Sequence, residues 1–259
     1  MSPADRTPPD DALTEAALRG VDPDGMYDHV RGFADQWRRA RERVADVSID
    51  LSEDAVDHVV LVGMGGSAIS GDLLSALIRE KAAVPVTVNR SYDLPGFVDE
   101  RTLVIGSSYS GHTEETVSAF QEGIARGATC YGVTSGGHLQ HICEQEGLGF
   151  HELPEGYPPR AALGYSLAAV LKIVEEAGIY RVPDRAWEES TRVLEEMTEE
   201  LSDLSGNRAI EIARALRNRL PIVYSGSTLT EPVNVRWRCQ LQENAETLAY
   251  GNAYPEFNH

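Results

Sequence analysis

From residue 57 onward, the chain alternates between short apolar runs and longer stretches with the spacing of an amphipathic helix. Apolar strands alternating with such helices predict a parallel β-sheet covered by helices on both faces. The predicted strands are residues 59–62, 84–88, 102–106, 129–133 and 149–153, and the helices between them are 68–79, 114–126 and 139–146. The pattern therefore predicts a three-layer α/β fold, which binds ligands beyond the carboxyl ends of its strands.

The N-terminal segment has a different pattern. Residues 1–10 are rich in Pro and Asp, so we predict that they are disordered. Residues 11–46 have helical spacing and predict a hairpin of helices packed on the main domain. The apolar stripe of this hairpin is Leu18, Met26, Val30, Phe33 and Trp37.

The C-terminal part begins to repeat the strand–turn–helix pattern. It contains predicted helices at 161–177, 184–204 and 207–219, one strand at 221–225 and a helix through Glu243. We therefore predict an N-terminal tail and helices at 1–46, a first α/β domain at 47–183 and the start of a second at 184–259. Because a lone strand cannot make a stable domain, we expect the second domain to be incomplete at the C-terminus.

Composition narrows the possible partners. A net charge of −18 argues against nucleic-acid binding, which relies on basic side chains to neutralise phosphates. No apolar run is long enough to span a membrane, and the polar N-terminus is not a signal peptide. The three cysteines form no CxxC pair and no zinc-type cluster, so we expect free thiols, no metal site and a cytoplasmic protein. The carboxylate excess favours adaptation to high salt, with an ordinary acidic protein as the alternative.

The first candidate site is the glycine-rich stretch VVLVGMGGSAISGD at residues 59–72. A strand that ends in glycines before a helix presents free backbone N–H groups and a positive helix end to an anion. A dinucleotide fingerprint is one alternative, but Ala68 replaces the last glycine of GxGxxG. A tight turn without a ligand is the other.

The second candidate site is SSYSGHT at residues 107–113, where another predicted strand opens into a helix. The hydroxyls of Ser108, Ser110 and Thr113 would add hydrogen-bond donors for phosphate oxygens. The alternative is an ordinary helix cap, for which one hydroxyl suffices. Neither stretch has the lysine of the P-loop motif GxxxxGK(S/T), which binds nucleoside triphosphates.

Four ordered motifs carry a resemblance to a known family. The GGS loop together with SxSGxT is similar to sugar isomerase (SIS) domains, which bind phosphosugars. With PPRAALGYS at 158–166 and QENAETLAYGNAYPEFNH at 242–259, the chain resembles the bifunctional phosphoglucose/phosphomannose isomerases. The resemblance implies two flavodoxin-like SIS domains, the second one truncated here, and hexose 6-phosphate substrates. It also implies a homodimer with its active site at the subunit interface, and no metal or other cofactor.

The resemblance also implies roles for individual residues. The positions that match the family's phosphate-binding residues are Gly66, Ser67, Ser108, Ser110 and Thr113. Within that loop His112 departs from the family, which usually has asparagine there.

Three further residues match the family's catalytic positions. Glu243 matches the base, Arg160 the active-site arginine, and His259 the ring-opening histidine that the neighbouring subunit contributes. One carboxylate can move a proton between C1 and C2 through an enediolate, provided that partial burial raises its basicity. A fixed guanidinium can stabilise the enediolate oxygens. Without the resemblance, the alternatives are a surface glutamate, a salt-bridged arginine and a solvent-exposed histidine.

The predicted function is an aldose–ketose isomerase acting on glucose 6-phosphate, and on mannose 6-phosphate, to give fructose 6-phosphate. A non-catalytic phosphosugar-binding module is the first alternative. Glu243 and His259 distinguish the enzyme from the non-catalytic module, since a sensor needs neither a base nor a ring-opening acid. A dinucleotide-dependent dehydrogenase is the second alternative, and the absence of NAD binding in calorimetry would exclude it.

Overall fold

The computed structural model describes residues 13–49, 51 and 56–259. The predicted disorder of residues 1–10 lies outside the described residues. Three short helices open the described chain: α1 (Glu15–Val21), α2 (Met26–Arg31) and α3 (Phe33–Arg43). None of the described helices is both long and apolar enough to cross a membrane.

A five-stranded parallel sheet forms the centre of the described chain. Its strands are β1 (His58–Gly63), β2 (Val86–Asn89), β3 (Thr102–Ser107), β4 (Thr129–Thr134) and β5 (Phe150–Glu152), and their spatial order is β2-β1-β3-β4-β5. The connecting helices are α4 (Gly65–Ile78), α5 (Glu114–Ala125) and α6 (Gly137–Glu146), with α7 (Leu163–Glu176) after β5. This is the doubly wound flavodoxin-like order, so the predicted fold class is confirmed.

Successive side chains of a strand point to opposite faces of the sheet, so each face has its own hydrophobic core. Val59 and Leu61 pack with α3, α4 and α7, whereas Val60 and Val62 pack with α5 and α6. Both sets are buried, because a parallel sheet between two helical layers has no solvent face. The helices change face between β1 and β3, so the chain reverses its winding there. That reversal is where this class of fold binds ligands.

The N-terminal helices differ from the predicted hairpin. Of the predicted stripe, Trp37 is buried and stacks on Trp187, but Val30 is 57% exposed. The stripe is wrong across α2 because the backbone turns at Gly25, with φ of +67°, and again at Gly32. A helical period does not continue through such breaks.

The C-terminal part is a second, smaller α/β unit. Helices α8 (Asp184–Leu201) and α9 (Arg208–Leu216) lead to β6 (Ile222–Gly226), α10 (Glu231–Asn244) and β7 (Tyr250–Tyr254). The prediction of a single strand here is wrong, because β7 pairs in parallel with β6. The YGNAY sequence of β7 contains glycine, asparagine and alanine, which weaken the strand signal. The proposed domain boundaries at residues 47 and 184 stay predictions.

Helix α4 begins three residues earlier than predicted. Its first turn contains Gly65 and Gly66, which the sequence assigned to a loop. Glycine has low helix propensity, so the pattern alone places the start too late. The two glycines therefore belong to the end of the helix that faces the candidate site.

Candidate active site

The two predicted phosphate loops meet at the carboxyl ends of β1 and β3. These strands are neighbours in the sheet, with Gly63 opposite Ser107. The backbone N–H of Tyr109 donates to Ser67 Oγ at 3.2 Å, and Ser107 Oγ donates to the carbonyl of Ser67 at 3.1 Å. The turn after β1 and the turn after β3 therefore form one continuous surface at the point where the winding reverses.

The three hydroxyls of the second loop lie within this surface. Ser108 Oγ and Thr113 Oγ1 are 2.9 Å apart, and Ser110 Oγ accepts from the backbone N–H of His112 at 3.3 Å. Thr113 occupies the N-cap position of α5, but its side chain makes no capping hydrogen bond. The alternative of a plain helix cap therefore does not describe this loop. The His112 ring packs edge-on against His138.

Unsatisfied backbone amides point to an anion at the same place. Met64 caps α4 without a side-chain hydrogen bond, and in the described part of the chain the amides of Gly65 and Gly66 have no acceptor. The same holds for Glu114 and Glu115 in the first turn of α5. Two helix N-termini thus present free N–H groups and their positive dipole ends together. An oxyanion such as phosphate suits this arrangement.

Gly66 also forms the contact with the turn that carries Arg160. A Cβ at Gly66 would lie 3.1 Å from both N and Cα of Arg160 and 3.2 Å from the carbonyl carbon of Pro159. These distances are shorter than ordinary carbon contacts, so the 3-10 turn Pro159–Ala161 rests directly on the start of α4. A side chain at position 66 would separate them.

Two side chains from other elements hold the Arg160 turn and the loop just before it. Tyr109 Oη donates to the carbonyl of Pro154 at 2.8 Å and accepts from the N–H of Tyr157 at 2.9 Å. Burial raises the pKa of this phenol, which keeps it protonated as a donor. On the other side, Gln36 of α3 is 2% exposed and donates to the carbonyl of Ala161 at 2.8 Å.

Helix α10 brings Glu243 to the same place. Glu243 lines a cavity of about 80 Å³ together with Gly65, Gly66 and Arg236. Glu243 Oε2 lies 3.9 Å from Nη1 of Arg160, whose Nε donates to Oδ1 of Asn244 at 2.5 Å. The structure thus places a carboxylate and a guanidinium side by side, against the start of α4. The Glu243 side chain is 44% exposed, so the partial burial expected of a base is not provided by this chain.

His259 lies away from this cavity. Strands β6 and β7 are parallel neighbours, so α10 runs back antiparallel to them and carries Glu243 to the end opposite the strands' carboxyl ends. The rise from Glu231 to Glu243 is about 18 Å at 1.5 Å per residue. His259 follows β7, and the ring of Phe257 still packs on Tyr224 of β6 at 4.4 Å. One chain therefore does not bring His259 to its own Glu243.

Comparison with known proteins identifies the family. Two family models match: the SIS domain over residues 54–143 and the bacterial phospho-glucose isomerase C-terminal SIS domain over residues 205–259. A bifunctional phosphoglucose/phosphomannose isomerase from Caldicellulosiruptor bescii is 40% identical over 237 residues, which cover 90% of this chain and 70% of that protein. The chain belongs to the bifunctional phosphoglucose/phosphomannose isomerase family. The resemblance stated from the motifs is thereby confirmed.

Other relatives show how far the likeness extends. A D-glucosamine-6-phosphate 4-epimerase from Sulfolobus acidocaldarius is 30% identical over 87% of this chain and 69% of its own length. The solved structure of tagatose-6-phosphate ketose/aldose isomerase from Escherichia coli superposes with a TM-score of 0.64, covering 96% of this chain and 70% of that one at 14% identity. At that identity, the likeness to the Escherichia coli protein shows the shared fold alone. The roles of the individual site residues in this isomerase family member stay predictions.

Sequence reasoning missed several residues that the structure places at the site. Arg90 directly follows β2 and lines the cavity with Glu243, and its guanidinium pairs with Asp72. Its position after a predicted strand could have marked it. Arg236 and Asn244 share α10 with Glu243, and their spacing from it was the available signal. In the described residues, no cluster of three or more His, Cys, Asp or Glu side chains is arranged to hold a metal ion.

Proposed function

We propose that this chain is an aldose–ketose isomerase that interconverts glucose 6-phosphate, and mannose 6-phosphate, with fructose 6-phosphate. The observation that carries the proposal is the placement of Glu243 and Arg160 against the helix start that also presents free amides to an anion. A hexose 6-phosphate has its phosphate at one end and its reacting carbons at the other. The site offers free amides and hydroxyls for the phosphate, and a carboxylate with a guanidinium beside them for the reacting carbons.

The phosphate would hold the substrate without taking part in the reaction. The free amides at the starts of α4 and α5 would donate to its oxygens, and so would the hydroxyls of Ser67, Ser108, Ser110 and Thr113. These donors belong to rigid helix ends next to buried strands, so the phosphate fixes the sugar with little loss of protein entropy. C1 and C2 would then extend toward α10.

Glu243 would act as the base of the proton transfer. In the direction from aldose to ketose, its carboxylate takes the proton from C2 and a cis-enediolate forms. The hydroxyl proton on O2 then moves to O1, and the carboxylic acid returns its proton to C1, which leaves C2 as the carbonyl carbon. A single group on one face serves both steps. Arg160 is held next to Glu243 by Asn244, so its guanidinium can stabilise the negative charge on the enediolate oxygen.

A second subunit completes this proposal. His259 lies at the far end of its own C-terminal unit, so a histidine that opens the sugar ring would come from a neighbouring copy of the chain. Such a homodimer would also cover Glu243, whose side chain is 44% exposed in one chain. We further propose a cytoplasmic location, supported by cysteines that are all free.

The experiment is a coupled assay of the full chain with fructose 6-phosphate, followed by the variant Glu243→Gln. Loss of one proton-transfer group should lower kcat by at least about 100-fold. Binding of fructose 6-phosphate, measured by calorimetry, should persist because the phosphate surface is intact. The matched control is Glu231→Gln, an exposed glutamate at the opposite end of α10, which should retain activity.

Three outcomes would contradict the proposal. Retained turnover in Glu243→Gln would remove the assigned base. Phosphosugar binding by the unaltered chain without any isomerisation would favour a sensor. Turnover of glucosamine 6-phosphate with no fructose 6-phosphate formed or consumed would place the chain with its epimerase relative.

A further inference from the structure

Arg236 is a mostly buried cation whose placement the proposed reaction does not yet use. It lies in the middle of α10 and lines the small cavity that also contains Gly66 and Glu243. It also lines a larger apolar cavity of about 360 Å³ near Val30 and Met197. Arg236 therefore borders both an apolar cavity and the candidate site.

The environment of Arg236 is costly for a charged group. Burial lowers its pKa, opposed mainly by the negative charge of Glu243. Among the residues the structure describes, no carboxylate oxygen lies within 4.0 Å of its guanidinium. A buried charge without a close partner destabilises a fold, so packing alone does not account for an arginine here.

The direct contact of Arg236 is with the main chain of Arg160. Arg236 Nη2 donates to the carbonyl oxygen of Arg160 at 3.2 Å. The N and Cα atoms of Arg160 lie against Gly66, where an added Cβ would be only 3.1 Å from them. The backbone of Arg160 thus contacts both the start of α4 and the guanidinium of Arg236.

Helix α10 forms hydrogen bonds to Arg160 at two points. Residues 236 and 243 are seven apart, which is two helical turns, so both lie on the cavity side. Arg236 holds the Arg160 carbonyl, while Asn244 accepts from the Arg160 side chain at 2.5 Å. The two contacts together determine where the Arg160 guanidinium lies relative to Glu243.

We propose that Arg236 is a positioning residue that places Arg160 beside Glu243 by holding the Arg160 carbonyl. This inference rests on the proposed isomerase function. Without the contact, Gln36 still holds the turn and Tyr109 the loop before it, so the chain still folds. The guanidinium of Arg160 would then no longer be held at a fixed distance from the reacting carbons.

The test compares Arg236→Gln and Arg236→Lys with Arg238→Gln in the full chain. Arg238 lies on the same helix but bonds to Asn234, on the side facing the small sheet, so it controls for the loss of one helix arginine. Steady-state kinetics with fructose 6-phosphate gives kcat and KM. Trypsin cleavage after Arg160, followed by mass spectrometry, reports how firmly the turn is held.

We expect Arg236→Gln to lower kcat by about 10- to 100-fold, as for a displacement of up to 1 Å, with KM changed less than about threefold. Cleavage after Arg160 should be faster than in the unaltered chain. Lysine is one bond shorter than arginine, so Arg236→Lys should give intermediate values in both measurements. Arg238→Gln should match the unaltered chain in both.

The proposal is overturned if Arg236→Gln loses no more kcat than Arg238→Gln, or if its cleavage after Arg160 is not accelerated. If Arg236→Gln does not fold, Arg236→Lys with unaltered kcat and unaltered cleavage overturns it instead. The kinetic assay and the cleavage measurement also distinguish the proposed isomerase function from the positioning role of Arg236. Absence of isomerisation by the unaltered chain refutes the proposed function, whereas unaltered cleavage in the Arg236 variants refutes the positioning role.

Discussion

The contact between Gly66 and Arg160 makes a sharp prediction for the variant Gly66→Ala. The added Cβ would lie 3.1 Å from N and Cα of Arg160, both of them backbone atoms. An ordinary carbon–carbon contact is about 3.5 to 4.0 Å, so either α4 or the Arg160 turn must move by about 0.5 Å. A flexible side chain could rotate away, but a backbone turn held on several sides cannot.

Two opposing terms set the expected stability of Gly66→Ala. Overpacking costs about 1 to 3 kcal/mol. Alanine in place of glycine within a helix contributes about 0.8 to 1 kcal/mol in the favourable direction. The net loss is then about 0 to 2 kcal/mol, which corresponds to a fall in Tm of about 0 to 8 °C for a domain of this size. The variant should therefore fold.

The effect on activity should be larger than the effect on stability. A shift of about 0.5 Å at Arg160 should lower kcat about 10-fold, since a misplacement of about 1 Å costs about 100-fold. The measurement is the coupled fructose 6-phosphate assay together with thermal unfolding. The matched control is Gly20→Ala, because Gly20 is also helical but a Cβ added there would have no atom within 4 Å.

Gly20→Ala should keep its activity, and its Tm should rise by about 2 to 4 °C because only the favourable helix term applies there. If Gly66→Ala retains kcat and KM within about twofold, the close packing of the Arg160 turn on α4 is not needed for catalysis, and the argument from positioning fails. Loss of activity in both variants would point to a cause other than this contact.

Two further predictions concern the cysteine thiols and the imidazole of His151. Burial raises the pKa of the Cys130 thiol to about 12 and that of the Cys143 thiol to about 11, so both thiols stay protonated and unreactive at pH 8. Cys239 is partly exposed, so it should react with a thiol reagent in the native protein, before denaturation. Rapid reaction of more than one thiol per native chain would contradict this burial. Burial, together with Arg43, lowers the pKa of His151 from 6.5 to about 4, so between these values the unfolded chain binds a proton that the native chain does not. The free energy of unfolding should therefore fall as the pH drops from 6.5 toward 4. Urea unfolding should show a smaller fall for His151→Phe than for the unaltered chain. An equal fall in the two proteins would contradict the lowered pKa of His151.

Local pattern in the sequence was sufficient for most of the first sheet. Apolar runs such as residues 59–62 and 102–106 became buried strands, because a parallel sheet between two helical layers admits apolar side chains on both faces. The glycines and hydroxyls that follow these runs marked the strand ends at which ligands bind. The motifs also identified the family, since they report chemistry at fixed positions along the chain.

Other features depended on contacts between residues distant in sequence. Strand β7 has a weak local signal and exists through its pairing with β6 and the bonds that Asn234 makes to both strands. The proximity of Glu243 to Arg160 depends on how α10 packs against α4, which no local pattern encodes. The contacts of Gly66 and Arg236 with the Arg160 backbone have the same origin. The sequence motifs thus determined which candidate catalytic and phosphate-binding side chains the protein contains. Only tertiary packing decided which of these side chains come together within one chain. It brings Arg160 to Glu243 but leaves His259 away from them.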